Sequence, residues 1–255
     1  MINKLDLSIA KNYKSKSQIT RVITEKWVQK NIFCPNCGNN LKKYENNRPV
    51  ADFFCDICKE DYELKAKKGQ SEGEKIIDGS YSTMIDRITS INNPNFFFLI
   101  YNKNYIINNF FGVSKDIFVP EIIEKRKPLS SNARRKGWVG CNILISEIPK
   151  FSKIYYIKNS TKIENSAVKE QWQKTNFSNI MNDLKKRSWI YDILYCIDKI
   201  NKNEFSLRDI YNFESFLQTR HQSNKNIKAK IRQQLQILRD KKFILFLGKG
   251  KYKIL

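Results

Sequence analysis

The chain has 255 residues, 41% of them hydrophobic and 13% aromatic, enough for one large domain or two ordinary ones with real cores. Forty-seven Lys and Arg stand against 25 Asp and Glu, and the resulting charge of +22 repels itself unless a polyanion neutralises it, which puts nucleic acid ahead of a merely solubilising basic face. No apolar run approaches the ~18 residues of a spanning helix, and Met1 to Lys14 lacks an apolar signal core, so a soluble, cytoplasmic protein is expected and a membrane protein is not.

The first periodic segment is Ser17 to Lys30, where Ile19, Val22, Ile23 and Trp27 recur at the spacing of one helix face. Short apolar or alternating runs follow and predict strands over Pro49 to Phe54, Tyr62 to Ala66, Asn95 to Tyr101, Trp138 to Leu144 and Ile154 to Ile157. A helix is predicted over Tyr81 to Ile91, with Met84, Ile85 and Ile88 on one side. This order implies a mixed α/β domain. Asn159 to Asn182 is polar and poorly periodic and predicts a linker or a loosely packed edge, with the domain boundary near residue 180.

Beyond Lys185 the texture changes. Ile190, Ile193, Leu194 and Ile197 mark a helix, Ser206 with Asp209 forms a capping box that opens a second, and Ile227, Ile231, Leu235 and Leu238 mark a third. Two apolar strands, Phe243 to Leu247 and Lys251 to Leu255, then flank the hairpin signal at Gly248-Lys249-Gly250. Three helices and a hairpin are the order of a winged helix, whose third helix enters the DNA major groove. From 183 to 255 the chain has 17 basic and 7 acidic residues. The outer face assigned to the third helix carries Lys225, Lys228, Arg232, Gln233, Gln236 and Arg239, cations for phosphates and amides for an adenine edge.

Cys34-Pro-Asn-Cys37 and Cys55-Asp-Ile-Cys58 are two Cys-x2-Cys knuckles with 17 residues between them, the spacing of a four-thiolate structural zinc site. Four thiolates leave no open coordination position, so the zinc is expected to be structural. Free thiols or a redox pair are the alternatives, and disulfides are not expected in a reducing cytosol. Cys141 and Cys196 lie in apolar runs and are expected in the core. Asp52 is followed, after ten residues, by Glu63-Leu-Lys65. On a strand Glu63 and Lys65 share one face while Tyr62, Leu64 and Ala66 face a core. Two carboxylates suit one or two Mg²⁺, and Lys65 can orient or help deprotonate an attacking water. A surface hairpin with ordinary ion pairs is the competing reading of this pattern. His221 is the only histidine and is expected at the surface, which excludes a histidine base from the first domain. No phosphate-cradling Gly-x4-Gly-Lys-Ser/Thr is present, so no nucleotide cofactor is expected.

Five segments, Cys34 to Asn40, Glu45 to Asp52, Asn92 to Leu99, Ala133 to Trp138 and Lys230 to Asp240, give the chain a family likeness. It resembles the DpnI-like methyl-directed (type IIM) restriction endonucleases of the PD-(D/E)xK superfamily over nearly its whole length, least over 155 to 182. The resemblance implies a PD-(D/E)xK nuclease domain with an embedded four-Cys zinc site over 1–181 and a winged helix over 182–255 that reads the site independently. It further implies cleavage of double-stranded DNA at GATC carrying N-methyladenine, leaving 5′-phosphate and 3′-hydroxyl ends. Asp52, Glu63 and Lys65 match the catalytic positions, with Asp52, Glu63 and Leu64 at Mg²⁺ and Cys34, Cys37, Cys55 and Cys58 at zinc. Trp138 matches a tryptophan used near the adenine methyl groups, and Arg134, Arg135 and Lys136 beside it are expected on phosphates. A monomer in solution is expected. Two other classes compete: a non-catalytic zinc and winged-helix DNA-binding regulator, against which the paired carboxylates count, and an RNA-binding protein, against which a helix suited to a B-form groove counts.

Overall fold

The computed structural model describes residues 3–45, 51–175 and 183–255. By its internal contacts the chain divides into two compact units, Met1–Gln173 and Lys174–Leu255. Among the described residues no helix is long and apolar enough to cross a membrane.

After a 3-10 turn at Leu7–Ala10, the first unit continues with α1 (Lys16–Asn31), whose Ile23, Trp27 and Val28 are buried. The strands that follow are β1 (Lys42–Lys43), β2 (Phe53–Phe54), β3 (Asp61–Lys68) and β4 (Lys75–Ser80). Helix α2 (Tyr81–Thr89) comes next, its Ser80 side chain accepting from the Thr83 amide. Then come β5 (Asn95–Tyr101), β6 (Ile107–Val113), β7 (Ile123–Lys125), β8 (Gly140–Leu144), β9 (Ile154–Lys158) and β10 (Thr161–Lys162). A seven-stranded sheet has the order β1-β2-β3-β5-β6-β9-β10, and a three-stranded sheet the order β4-β8-β7. Within the large sheet β3 and β5 run parallel, so the chain leaves the end of β3 and returns through β4 and α2 before starting β5.

Strand β5 is buried along its whole length, as its unbroken apolar sequence requires of a strand covered on both faces. Phe97, Leu99 and Tyr101 join the cluster built on Ile23, Trp27 and Val28 of α1. On the opposite face Phe96 stacks on Phe118 with ring centroids 3.8 Å apart, and Phe98 on Phe111 at 5.1 Å. Each such ring contributes about 1.5–3 kcal/mol by burial, and Phe97→Ala at the sheet centre should cost about 3–5 kcal/mol. In register, Glu63 lies beside Phe96 and Lys65 beside Phe98, whereas Leu64 lies beside Phe97. Glu63 and Lys65 therefore point away from α1, and Tyr62, Leu64 and Ala66 toward its cluster, as the alternation predicts.

Several expectations need correction. Of the strand expected over Pro49 to Phe54, Pro49 and Val50 lie outside the described residues, and among the described ones only Phe53–Phe54 is strand. Trp138 precedes β8 instead of opening it, because Gly137 (φ +77°) and the bond from Leu129 N–H to the Trp138 carbonyl close a loop at that point. The stretch read as a linker contains α3 (Asn165–Thr175), whose Val168 and Trp172 are buried; residues 176–182 of that stretch lie outside the described residues. Trp172 packs over Gly112 of β6, where an added Cβ would sit 2.9 Å from the indole. Strand β6 itself was not predicted.

The second unit comprises α4 (Leu184–Ile200), β11 (Glu204–Ser206), α5 (Leu207–Tyr211), α6 (Glu214–Arg220), α7 (Ile227–Asp240), β12 (Ile244–Gly248) and β13 (Lys251–Ile254). The capping box forms as predicted, with Ser206 and Asp209 satisfying each other's amides. Lys249 (φ +47°) and Gly250 (φ +70°) form the two-residue turn between β12 and β13, the left-handed geometry that matches strand twist. The predicted second helix is broken into α5 and α6, so among the described residues α4 to α7 precede the hairpin. His221 is half-buried and not an exposed residue: its ring stacks on Trp189 at 3.7 Å and bonds the fully buried Asp192 at 2.7 Å, which Arg220 also meets at 2.8 Å.

Candidate functional site

Two constellations meet on β3. The first is the cysteine cluster, in which Cys34, Cys37, Cys55 and Cys58 bring their sulfurs within 4.8 Å of one another. Each knuckle turns because the amide four residues after its first cysteine bonds back to that cysteine's carbonyl: Gly38 to Cys34 at 2.8 Å and Lys59 to Cys55 at 2.9 Å. Both turning residues are left-handed, Gly38 at φ +84° and Lys59 at φ +60°. The Tyr62 hydroxyl lies 3.0 Å from Cys34 Sγ, and Asn39 Nδ2 donates to Cys37 Sγ at 3.3 Å. Burial pushes the Cys34 thiol well up; at Cys37 burial acts the same way, but the Asn39 side-chain and backbone bonds outweigh it and bring the group to about 7. Four soft donors at tetrahedral spacing, with hydrogen bonds already aimed at the sulfurs, fit a zinc ion. Cys141 and Cys196 are buried and apart from this cluster, in the core as expected.

The second constellation starts where β2 stops pairing. Main-chain pairing of β2 with β3 covers Phe53 with Tyr62 and Phe54 with Asp61, and Asp52 N–H still reaches the Tyr62 carbonyl. At the next rung the Asp52 carboxylate replaces the backbone, accepting from Leu64 N–H at 2.7 Å. Burial pushes this carboxyl up, the Leu64 bond partly opposes it, and the Glu63 charge adds to it, bringing Asp52 to about 6. Glu63 meets Lys65 Nζ at 2.5 Å through one oxygen and Arg87 of α2 at 3.2 Å through the other. Lys65 also meets Asp78 of β4 at 2.8 Å. Burial alone would lower the Lys65 ammonium, but the Glu63 and Asp78 charges more than offset it and hold the group above its ordinary range. Asp52, Glu63 and Lys65 are thus brought together, as their spacing predicts. Asp78 and Arg87 were not anticipated.

The loop between β7 and β8 carries Arg134, Arg135 and Lys136, all exposed, ahead of the half-buried Trp138. The Arg135 guanidinium lies 4.7 Å from the indole centroid, and the far edge of the ring rests against Gly140. One edge is therefore packed and the ring is not a core residue. In the second unit Lys228, Arg232, Gln233, Gln236 and Arg239 are exposed on α7, while Ile227, Ile231, Leu235 and Leu238 are buried. Lys225 lies ahead of the helix, beyond its cap Asn226, and so flanks the face that it was expected to join. Arg232 donates to the Tyr211 hydroxyl at 2.7 Å, and Lys228 meets Glu214 at 3.2 Å.

A sequence model of the Dam-replacing family, DpnI, matches residues 1–181, and a model of the Dam-replacing HTH domain matches residues 185–254. The chain belongs to the Dam-replacing (DpnI) family. Membership implies a DNA endonuclease, and it implies that the second unit is its helix-turn-helix DNA-binding module. In this member of the Dam-replacing family the four-cysteine cluster and the carboxylate cluster both fall within the segment matched by the first model, and the winged helix within the second. Ile76-Ile77 is a short apolar pair that fits a strand, but nothing local says which sheet it joins or singles out Asp78.

Proposed function

We propose that this protein hydrolyses double-stranded DNA at GATC sites carrying N-methyladenine, through Mg²⁺-dependent cleavage that leaves 5′-phosphate ends. The observation that carries this reading is the Asp52 carboxylate docked on Leu64 N–H, which sets it at the edge of the strand bearing Glu63 and Lys65. A carboxyl raised to about 6 by burial and by a neighbouring carboxylate is a hard-oxygen site short of positive charge, and this fits a divalent cation. Asp52, Glu63 and the main-chain carbonyl of Leu64 would hold the ion. When bound, Mg²⁺ supplies polarisation of the scissile phosphate. Lys65, held charged by Glu63 and Asp78, orients the attacking water and the phosphate and does not accept the proton itself. Zinc on Cys34, Cys37, Cys55 and Cys58 fixes the turn between Asp52 and Glu63 and takes no part in the chemistry.

Methyl dependence is ascribed to Trp138. An adenine N-methyl group offers no hydrogen bond, so a protein rewards it only by apolar contact, and the half-buried Trp138 indole, with Arg135 over one face, would supply that contact. One methyl contributes about 0.8 kcal/mol, too little for a strict switch, so the winged helix reads a second methyl through α7, with Gln233 and Gln236 on bases and Lys225, Lys228 and Arg232 on phosphates. Incubation of the purified protein with adenine-methylated and unmethylated plasmid in Mg²⁺ tests the proposal. Cutting confined to the methylated plasmid is expected; equal cutting of both, or cutting of neither, contradicts it.

A further inference from the structure

In the proposed chemistry Asp78 serves only as a charge beside Lys65, and its placement points to more. Asp78 lies on β4, in the small sheet, yet its side chain reaches across to Lys65 on β3 of the large sheet at 2.8 Å. Both side chains are largely buried, Lys65 at 13% exposed and Asp78 at 15%, so solvent does little to weaken their contact. The backbone at Asp78 is specifically shaped. Pairing of β4 with β8 runs regularly from Lys75 to Asp78, then skips Gly79 and resumes at Ser80. Such a bulge re-aims the neighbouring side chains, and bulges are over-represented next to active sites. The Cys141 sulfhydryl, across the ladder from Asp78, leans on the Gly79 carbonyl at 3.6 Å.

We propose that Asp78 is a positioning residue that fixes the Lys65 ammonium in the place from which it acts on the cleavage reaction. The inference rests on the assignment of Asp52, Glu63 and Lys65 to phosphodiester cleavage. A lysine side chain has four rotatable bonds and is well placed only when its head group is anchored. Glu63 anchors it here, but a carboxylate that turns to hold a metal ion gives up much of that bond. Asp78 comes from a different strand in a different sheet and stays behind as the anchor.

A double-mutant cycle tests this, with single-turnover cleavage of saturating methylated duplex read alongside DNA affinity measured without divalent metal. Asp78→Ala should slow cleavage by about 100-fold, the size of effect produced by misplacing a catalytic group by an ångström, and leave affinity unchanged. Asp78→Asn, which keeps an acceptor without the charge, should fall between. Lys65→Ala should be slower still, and Lys65→Ala/Asp78→Ala should be no slower than Lys65→Ala, because Asp78 acts only through Lys65. If Asp78→Ala does not fold, the same cycle with the nearly isosteric Asp78→Asn carries the test. A double variant slower than Lys65→Ala by the full Asp78 factor would show Asp78 acting on its own and overturn the proposal, as would Asp78→Ala cutting at the normal rate while Lys65→Ala does not. Wild-type cleavage by Lys65→Ala would overturn the assignment of the site itself, and the positioning role with it.

Discussion

The cysteine cluster and the carboxylate cluster share strand β3 and are built in opposite ways. Each pair of thiols is set by one four-residue knuckle, so most of the geometry is local, and the four sulfurs close on one another within 4.8 Å. The carboxylates and their cations are collected from the fringe of β2, from β3, from β4 in another sheet and from α2. Tyr62 joins the two constellations, its hydroxyl on Cys34 and its chain neighbour Glu63 on the reverse face of the strand. A closed local chelate stabilises a fold, whereas an assembled cluster with excess like charge remains open for an incoming ion and substrate. The difference predicts that damage to the first site costs structure and damage to the second costs only activity.

Cys55→Ser should have the largest effect. Structural zinc contributes on the order of 10 kcal/mol of apparent folding free energy, comparable to the whole stability of a domain. The variant should lose stoichiometric zinc and the cooperative melt of the first unit, followed by metal analysis and circular dichroism. A zinc-free protein that melts normally would erase the distinction. Glu63→Ala should do the reverse, cutting more slowly by about 1,000-fold, the several kcal/mol that a metal site supplies to a transition state. Its zinc content and its DNA affinity should stay normal; loss of either would place Glu63 in the structural class.

Asp52 extends the contrast to pH. Burial pushes its carboxyl up to about 6 from an ordinary 3.8, so the native state holds the proton more tightly than the unfolded chain does. Stability of the metal-free protein is therefore lost as pH rises from 3.8 through 6, and Asp52→Asn, which can still accept from Leu64 N–H, should recover up to about 3 kcal/mol at pH 7. Melting curves of both proteins should converge below pH 4. A gap that persists there would mean that the substitution acts by packing and not by charge. The smallest effect belongs to the knuckles: Lys59→Gly, which relieves a left-handed lysine where the first knuckle already has Gly38, should add about 0.5 kcal/mol to stability, with catalysis untouched.

What could be read from the sequence follows the same division. The cysteine spacing gave the complete cluster, and the alternation of Glu63 and Lys65 gave their common face, because both depend on neighbours in the chain. Helix α1, the run at β5 and the capping box at Ser206 were legible for the same reason. Asp78 and Arg87 were not, since a lone carboxylate on a short strand and an arginine near a helix end acquire meaning only when tertiary packing places them beside Lys65 and Glu63. Strand β6 was missed because Asn108 and Asn109 interrupt its apolar run, and α3 because its polar sequence is anchored only at Val168 and Trp172. His221 was misplaced at the surface because its partners, Asp192 and Trp189, lie about thirty residues away, on α4.

Two metals are expected to divide the labour between these sites. This division is tested most directly by single-turnover cleavage of an adenine-methylated GATC duplex with protein of measured zinc content, first without and then with added Mg²⁺. One zinc per chain and no cleavage until Mg²⁺ arrives are expected, with zinc retained throughout. Cleavage at full rate by the zinc-loaded protein before any Mg²⁺ is added would contradict it.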